Sequence, residues 1–390
     1  MEQNTYRRFV CALCALALML TLTPTAAFAQ ADTDTGTAVQ QSLSATDVRQ
    51  MQQADESVTA LTDSAAFEQM NEAQRSEAAL QQLDELVQQG LVKKGSVYAD
   101  EENGMVSFSY SCGVLGGILL SDPEEENTAA LPDAEQLQQL AENKRVGSAV
   151  IYYAFDNTVN SSRYPYYAYM QSYWDAVGLQ TTLDTTVTVA DLRRMGSYDL
   201  CVLSTHGSYY TYEYGWLFKK TATEPLILLT EKSDFWSDLR YGFDLLSHRV
   251  VKINGAYAVN GEFFRGAYRG NGIVLSETCE FYGKNGHRST SIADGLLAGG
   301  AKAVMGYVNN VYSVYSRSML WATVNHMIDG ETLEQAVEHA KSSYGTDDII
   351  WYNQQGGKRP HAAAAYAMLS GNRNATLPNP YIGVDSGLAA

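Results

Sequence analysis

Along the chain, apolar residues recur first at helical spacing and later in short continuous runs, and that change of period divides the sequence. From Gln30 to about Thr46 the residues are small and polar, which predicts a flexible segment. Between Asp47 and Gln89 the chain is rich in Gln, Glu and Ala, with Leu80, Leu83, Leu86 and Val87 at helical spacing. That spacing predicts surface helices, each with one apolar stripe. In SVYADEENGMVSFSY, Asn103-Gly104 separates two alternating runs and predicts a hairpin. The Gly-rich CGVLGGILL that follows lacks the lysine and spacing of a phosphate loop and reads as a strand.

The acidic stretch SDPEEENTAALPDAEQLQQLAENKR holds two prolines and ends on Lys144-Arg145. It reads as a linker with a short helix, and so as a domain boundary. Beyond it, GSAVIYYAF, DLCVLST, GIVLSET and AKAVMGYV are continuous apolar strands. They alternate with helical patterns in YAYMQSYWDAVG, SIADGLLAGG, SRSMLWATVNHMIDG and ETLEQAVEHAKSSYG, the last capped by Thr332 or its neighbour. Unbroken apolar strands alternating with helices predict an α/β domain from 146 to 390, with a mostly parallel sheet covered on both faces.

Composition changes the picture at the start of the chain. Arg7 and Arg8 precede an apolar run from Phe9 to Leu22, and Ala27-Phe28-Ala29 follows. This is the pattern of a secretory signal peptide over 1–29, and it predicts an exported protein with no stable membrane insertion after cleavage. Cys11 and Cys14 would leave with it, so Cys112, Cys201 and Cys279 would remain. An odd count predicts at least one thiol outside any intramolecular pair. Cys112 and Cys201 read as packing residues, with a disulfide between them left open. The formal charge of −17 disfavours nucleic acid and anionic lipid as partners.

The candidate chemistry sits at predicted strand ends. His206 follows DLCVLST and Cys279 follows GIVLSET. In open α/β sheets, ligands and catalytic groups gather at the carboxyl ends of strands. A thiol beside an imidazole becomes a nucleophile when the ring favours the thiolate. Gly207, without a side chain, could bring its N–H to a bound carbonyl oxygen and form an oxyanion hole with the N–H of Cys279.

These residues carry a resemblance. A buried strand ending in His-Gly, a second ending in a short motif with Cys, and SIADGLLAGGAKAVMGYV after them look like the caspase-like cysteine peptidases of clan CD. That group includes clostripain, gingipains, legumain and caspases. The resemblance runs from about Val146 to Leu377, with YAMLSGNRNATL similar to the final strand of the gingipain-type domain. The helical and hairpin region over 30–145 could serve as a pro-region, since Lys144-Arg145 is a basic pair in an acidic linker just before the first strand of the α/β domain. The resemblance implies a caspase-like three-layer sandwich for that domain. It implies His206 and Cys279 as the catalytic pair, Gly207 and Cys279 as the oxyanion hole, and protein or peptide substrates with no metal or other cofactor. The motif SETCEFYG is nearer to legumain's Glu-Ala-Cys-Glu and clostripain's Asp-Ala-Cys than to the caspase pattern. In clostripain-like members the acid two residues before the cysteine binds a basic side chain; Glu277 holds that position, and Asp156 is a second candidate for the pocket wall. The resemblance thus implies cleavage after Arg or Lys, although legumain, which prefers Asn, carries an acid there too.

Rival readings remain open at this stage: a legumain-like peptidase or transpeptidase, and an inert binding protein on a peptidase-like scaffold. A zinc site of His206, Cys279 and His287 lacks any supporting spacing. His248, His326, His339 and His361 read as structural. The tyrosine-rich SSRYPYYAYM and GSYYTYEYGW read either as walls of a cleft or as half-buried surface aromatics.

Overall fold

The structure is a computed structural model and describes residues 42–120, 145–154, 164–214, 220–354 and 363–381. The expected signal peptide, most of the linker before the α/β region, and Asp156 lie outside the described residues. The strands, in chain order, are β1 Tyr98–Asp100, β2 Met105–Ser109, β3 Leu115–Leu119, β4 Gly147–Ala154, β5 Leu179–Asp184, β6 Leu200–Thr205, β7 Gly207–Tyr214 and β8 Lys220–Lys232. They continue with β9 Val250–Ile253, β10 Ala256–Val259, β11 Ile273–Ser276, β12 Gly283–Lys284, β13 His287–Arg288, β14 Ala303–Val308 and β15 Tyr366–Gly371.

Six strands form a sheet in the order β15-β14-β11-β6-β4-β5, parallel throughout except for β15 at its edge. Its central strands are buried on both faces, which is why they read as unbroken apolar runs. The edge strand β5 instead alternates buried and exposed residues at its start. Ile151, Val202, Leu275 and Met305 point to one face, where they pack with Tyr167 and Trp174 of the helix Tyr164–Ala176 and Met319 and Val337 of the helices Ser313–Ile328 and Leu333–Tyr344. The alternate residues Val150, Leu203, Val274 and Val304 pack with Phe263 and Phe264 of the helix Gly261–Ala267 and Ile292 and Leu296 of the helix Ser291–Ala298. The α/β expectation therefore holds, with helices on both faces of a largely parallel sheet.

The sequence did not disclose the second sheet. Seven strands in the order β1-β2-β3-β9-β10-β8-β7 pair antiparallel, apart from the parallel contact of β3 with β9. The expected hairpin is there as β1 and β2, and the Gly-rich stretch supplies β3. Thus the early segment contributes three strands to a sheet completed by residues from beyond the linker. The stretch GSYYTYEY is β7, and its Tyr209 and Tyr210 are buried rather than lining the surface.

A buried charge network binds the early segment further. Lys252 on β9 is 1% exposed. Its Nζ lies 2.5 Å from Asp55 Oδ2, on the helix Ala45–Thr62, and 2.9 Å from Asp238 Oδ2. Tyr110 Oη donates to Asp55, and Tyr257 Oη donates to Asp238 at 2.8 Å. A lone ammonium buried there would cost several kcal/mol, so the fold keeps it only by delivering carboxylates from two other elements.

Candidate active site

The six-stranded sheet makes β6 and β11 direct neighbours. They run parallel with Leu200 opposite Ile273 and Leu203 opposite Ser276. The pairing continues past the strand ends, where the Glu277 N–H donates to the Leu203 carbonyl at 2.9 Å. Thr205 and Thr278 then join their hydroxyls at 3.1 Å, both side chains buried. The two tips are therefore tied together up to the residues that precede His206 and Cys279.

His206 is the single residue between β6 and β7, the point at which the chain leaves one sheet and enters the other. Its carbonyl accepts from the Leu228 N–H of β8 at 3.0 Å, which pins that joint. Gly207 packs on the backbone of the cysteine loop. A Cβ built on it would stand 2.2 Å from the Cys279 carbonyl oxygen and 2.3 Å from Thr278 Cγ2. Only glycine fits, because a methyl group would overlap another segment's backbone. This contact brings the His-Gly tip and Cys279 together, and its reason is close packing rather than an unusual backbone angle.

Cys279 is half-buried and, among the described residues, is in no disulfide. Its Sγ lies 3.7 Å from the Val311 carbonyl, in the loop that follows β14. The next residue, Glu280, has φ 56°, in the left-handed region where a residue with a side chain is uncommon. It is held there by its N–H, which donates to the Asn309 carbonyl at 2.9 Å, and by a 3.2 Å ion pair with Lys284. Asn309, itself at φ 66°, donates through Nδ2 to the Ala364 carbonyl at 2.7 Å. Backbone strain of this kind costs on the order of 1–3 kcal/mol and persists where surroundings enforce it, as they do at Glu280 beside Cys279. The loops after β11 and β14 thus meet at the thiol, and the tip of β6 packs on the Cys279 backbone.

Glu277 is built differently from an open pocket wall. It is 5% exposed. Tyr167 Oη donates to its Oε2 at 3.0 Å, Ser204 Oγ donates to the same oxygen, and Ser316 Oγ donates to Oε1 at 3.2 Å. Burial pushes its carboxyl up to about 7, against the Ser204 hydrogen bond and the nearby Arg317 cation, which favour the charged form. Arg317 is itself buried, with its guanidinium 4.4 Å from the centre of the Tyr166 ring. In this arrangement Glu277 anchors the base of the cysteine loop to the helices Tyr164–Ala176 and Ser313–Ile328.

The other sequence candidates separate from this centre. Cys201 is buried, donates its S–H to the Met195 carbonyl at 3.0 Å, and has its thiol pushed far up by burial. Cys112 and Cys201 are both free thiols, so the disulfide left open between them is not formed. His287 is exposed on β13, and its carbonyl accepts from Tyr209 Oη at 2.8 Å. Among the described residues, the metal-ligand side chains that converge are His326, Glu331 and His339, not His206, Cys279 and His287. Sequence reasoning passed over Glu280, Asn309, Arg317 and the Thr205–Thr278 bridge. The motif SETCEFYG held two of these, but nothing local in it marks a strained backbone. Compared with known proteins, the chain matches no family model and no curated protein sequence.

The tied tips set the His206–Gly207 joint against the backbone of Cys279, and a thiol, an imidazole and backbone N–H groups are the parts that acyl transfer through a thioester requires.

Proposed function

We propose that the protein is an exported cysteine peptidase of the caspase-like class, with Cys279 as nucleophile and His206 as general acid and base. The observation that carries the reading is the close approach of Gly207 to the Cys279 backbone at the carboxyl ends of two adjacent parallel strands. In the reaction, His206 takes the Cys279 proton and the sulfur attacks the peptide carbonyl carbon. The tetrahedral oxyanion is met by N–H groups of Gly207 and Cys279. Collapse breaks the C–N bond, His206 returns the proton to the leaving amine, and water then hydrolyses the thioester. The parallel sheet with helices on both faces supports the sandwich that this class implies.

Glu277 is committed to Tyr167, Ser204 and Ser316, so its direct role is to position the Cys279 loop. The early segment over 42–120 supplies three strands and the Asp55 partner of Lys252, which supports its place in the working enzyme over that of a discarded pro-region. Incubation of the exported form with a mixed peptide library, read by mass spectrometry beside Cys279→Ala, tests the proposal. Cleavage lost in the variant is expected. Identical digestion by both proteins, or none by either, would remove the peptidase reading, and the residue before each cut reports on specificity.

A further inference from the structure

The helices Ser313–Ile328 and Leu333–Tyr344 are consecutive and pack together over one face of the parallel sheet. At the turn between them stand His326, in the last turn of the first helix, Glu331 in the connection, and His339 on the second. The turn is fixed by its backbone. Gly330, at φ 104°, donates its N–H to the Met327 carbonyl at 3.2 Å, and the Glu331 N–H donates to the His326 carbonyl at 3.1 Å. Thr332 then caps the second helix through a reciprocal pair of bonds with Gln335. Glu331 is thus held between a helix end and a helix start, and little freedom remains to be lost when it binds something.

Its carboxylate meets both rings. Oε1 lies 3.1 Å from His326 Nδ1 and 2.8 Å from His339 Nδ1, and Oε2 lies 2.9 Å from His339 Nδ1. One ligand atom from each of the three residues falls within 4.8 Å of the others, and the ring centres are 4.9 Å apart. The side chains are 13%, 25% and 56% exposed in the order His326, Glu331, His339, so the group is walled on the His326 side and open to solvent on the other.

We propose that His326, Glu331 and His339 form a binding site for a divalent late transition metal of the Zn²⁺ type, which joins the two helices. Tetrahedral ligands at the usual 2.0–2.1 Å would be separated by roughly 3.3 Å, so each ring needs to part from the carboxylate by only a few tenths of an ångström. Two imidazoles and one carboxylate select a borderline cation over Ca²⁺ or Mg²⁺, which take oxygen ligands. Binding replaces the hydrogen bonds from Nδ1 to the carboxylate: each ring gives its Nδ1 proton to solvent or holds one at Nε2 instead, the freed Nδ1 lone pairs and the carboxylate take the metal, and water from the open side fills the fourth position. The site is independent of the peptidase reading, since no residue of the Cys279 centre belongs to it.

The test uses the intact chain without an added histidine tag, titrated with Zn²⁺ and separately with Ca²⁺ and Mg²⁺, and followed by calorimetry and thermal unfolding. Saturating Zn²⁺ is expected to bind one-to-one and to raise the midpoint by roughly 2–5 °C, with no shift from the other two ions. His339→Ala removes an exposed ligand, and Glu331→Gln a ligand charge, without opening the core. Each is expected to weaken Zn²⁺ binding by at least about tenfold. Co²⁺ in place of Zn²⁺ should show ligand-field bands with no thiolate charge-transfer band, which separates this site from binding at Cys279 or Cys112. Absence of Zn²⁺ binding, wild-type affinity in His339→Ala, or a thiolate band accounting for the bound metal would overturn the proposal.

Discussion

Gly207→Ala is the smallest change that should separate the two strand tips. The added methyl would sit 2.2 Å from the Cys279 carbonyl oxygen, where ordinary contact begins at 3.4 Å, so the tips must part by roughly 1 Å. Neither side yields easily. Gly207 begins a strand paired with β8, and the cysteine loop is tied through Thr278 and through Glu280 to Asn309. Overpacking of this size costs about 1–3 kcal/mol of stability. Displacement of a reacting group by about 1 Å costs on the order of 100-fold in rate. The assay is kcat/KM on a peptide cleaved by the wild type, with thermal unfolding to show that the variant is folded. Gly242→Ala is the control, because the nearest atom to its added methyl is Leu43 N at an unstrained 3.5 Å. A folded Gly207→Ala protein with kcat/KM within about twofold of wild type would refute the argument that this contact sets the geometry of the centre.

Other consequences follow from buried groups. Lys252→Met leaves Asp55 and Asp238 buried without their cation and should cost about 3–5 kcal/mol in urea unfolding, whereas a loss below about 1 kcal/mol would contradict the network. The unfolded chain sheds the Glu277 proton near 4.5 while the folded chain holds it to about 7, so this group's contribution to stability is lost as pH rises through that interval. Glu277→Gln should therefore reduce the fall in unfolding free energy between pH 5 and 8 by roughly 2.5 kcal/mol, and an unchanged pH profile would count against it. A chain cut at Lys144-Arg145 should keep 42–120 bound in nondenaturing chromatography, since that segment shares the seven-stranded sheet. Release of the segment with peptidase activity retained would restore its reading as a pro-region.

What was legible in the sequence is what is buried on both faces. The runs at 149–154, 200–203, 273–275 and 303–308 are apolar without interruption because helices cover the sheet on either side, and His206 and Cys279 stand out a few residues past the ends of two of them. The second sheet was hidden for the opposite reason. Its strands owe their burial to partners distant in sequence, as Lys252 in VVKI owes its place to Asp55. Tyr209 and Tyr210 are adjacent and both buried, so β7 shows no clean two-residue alternation. Glu277 was legible as an acid near the cysteine, but its three hydroxyl partners come from three separate elements and left no local trace. His326, Glu331 and His339 follow no familiar ligand spacing, and only the turn between two helices brings them together.

The claim that His206 activates Cys279 is tested most directly by the rate at which each cysteine thiol is alkylated near neutral pH, site by site, in wild type and in His206→Ala. Cys112 is the internal reference, since burial pushes its thiol up and it shares the half-buried setting of Cys279. Cys279 is expected to react at least about tenfold faster than Cys112, with that advantage lost in His206→Ala while the Cys112 rate stays the same. Equal rates at the two sites in wild type, or a fast Cys279 that ignores the loss of His206, would contradict the dyad.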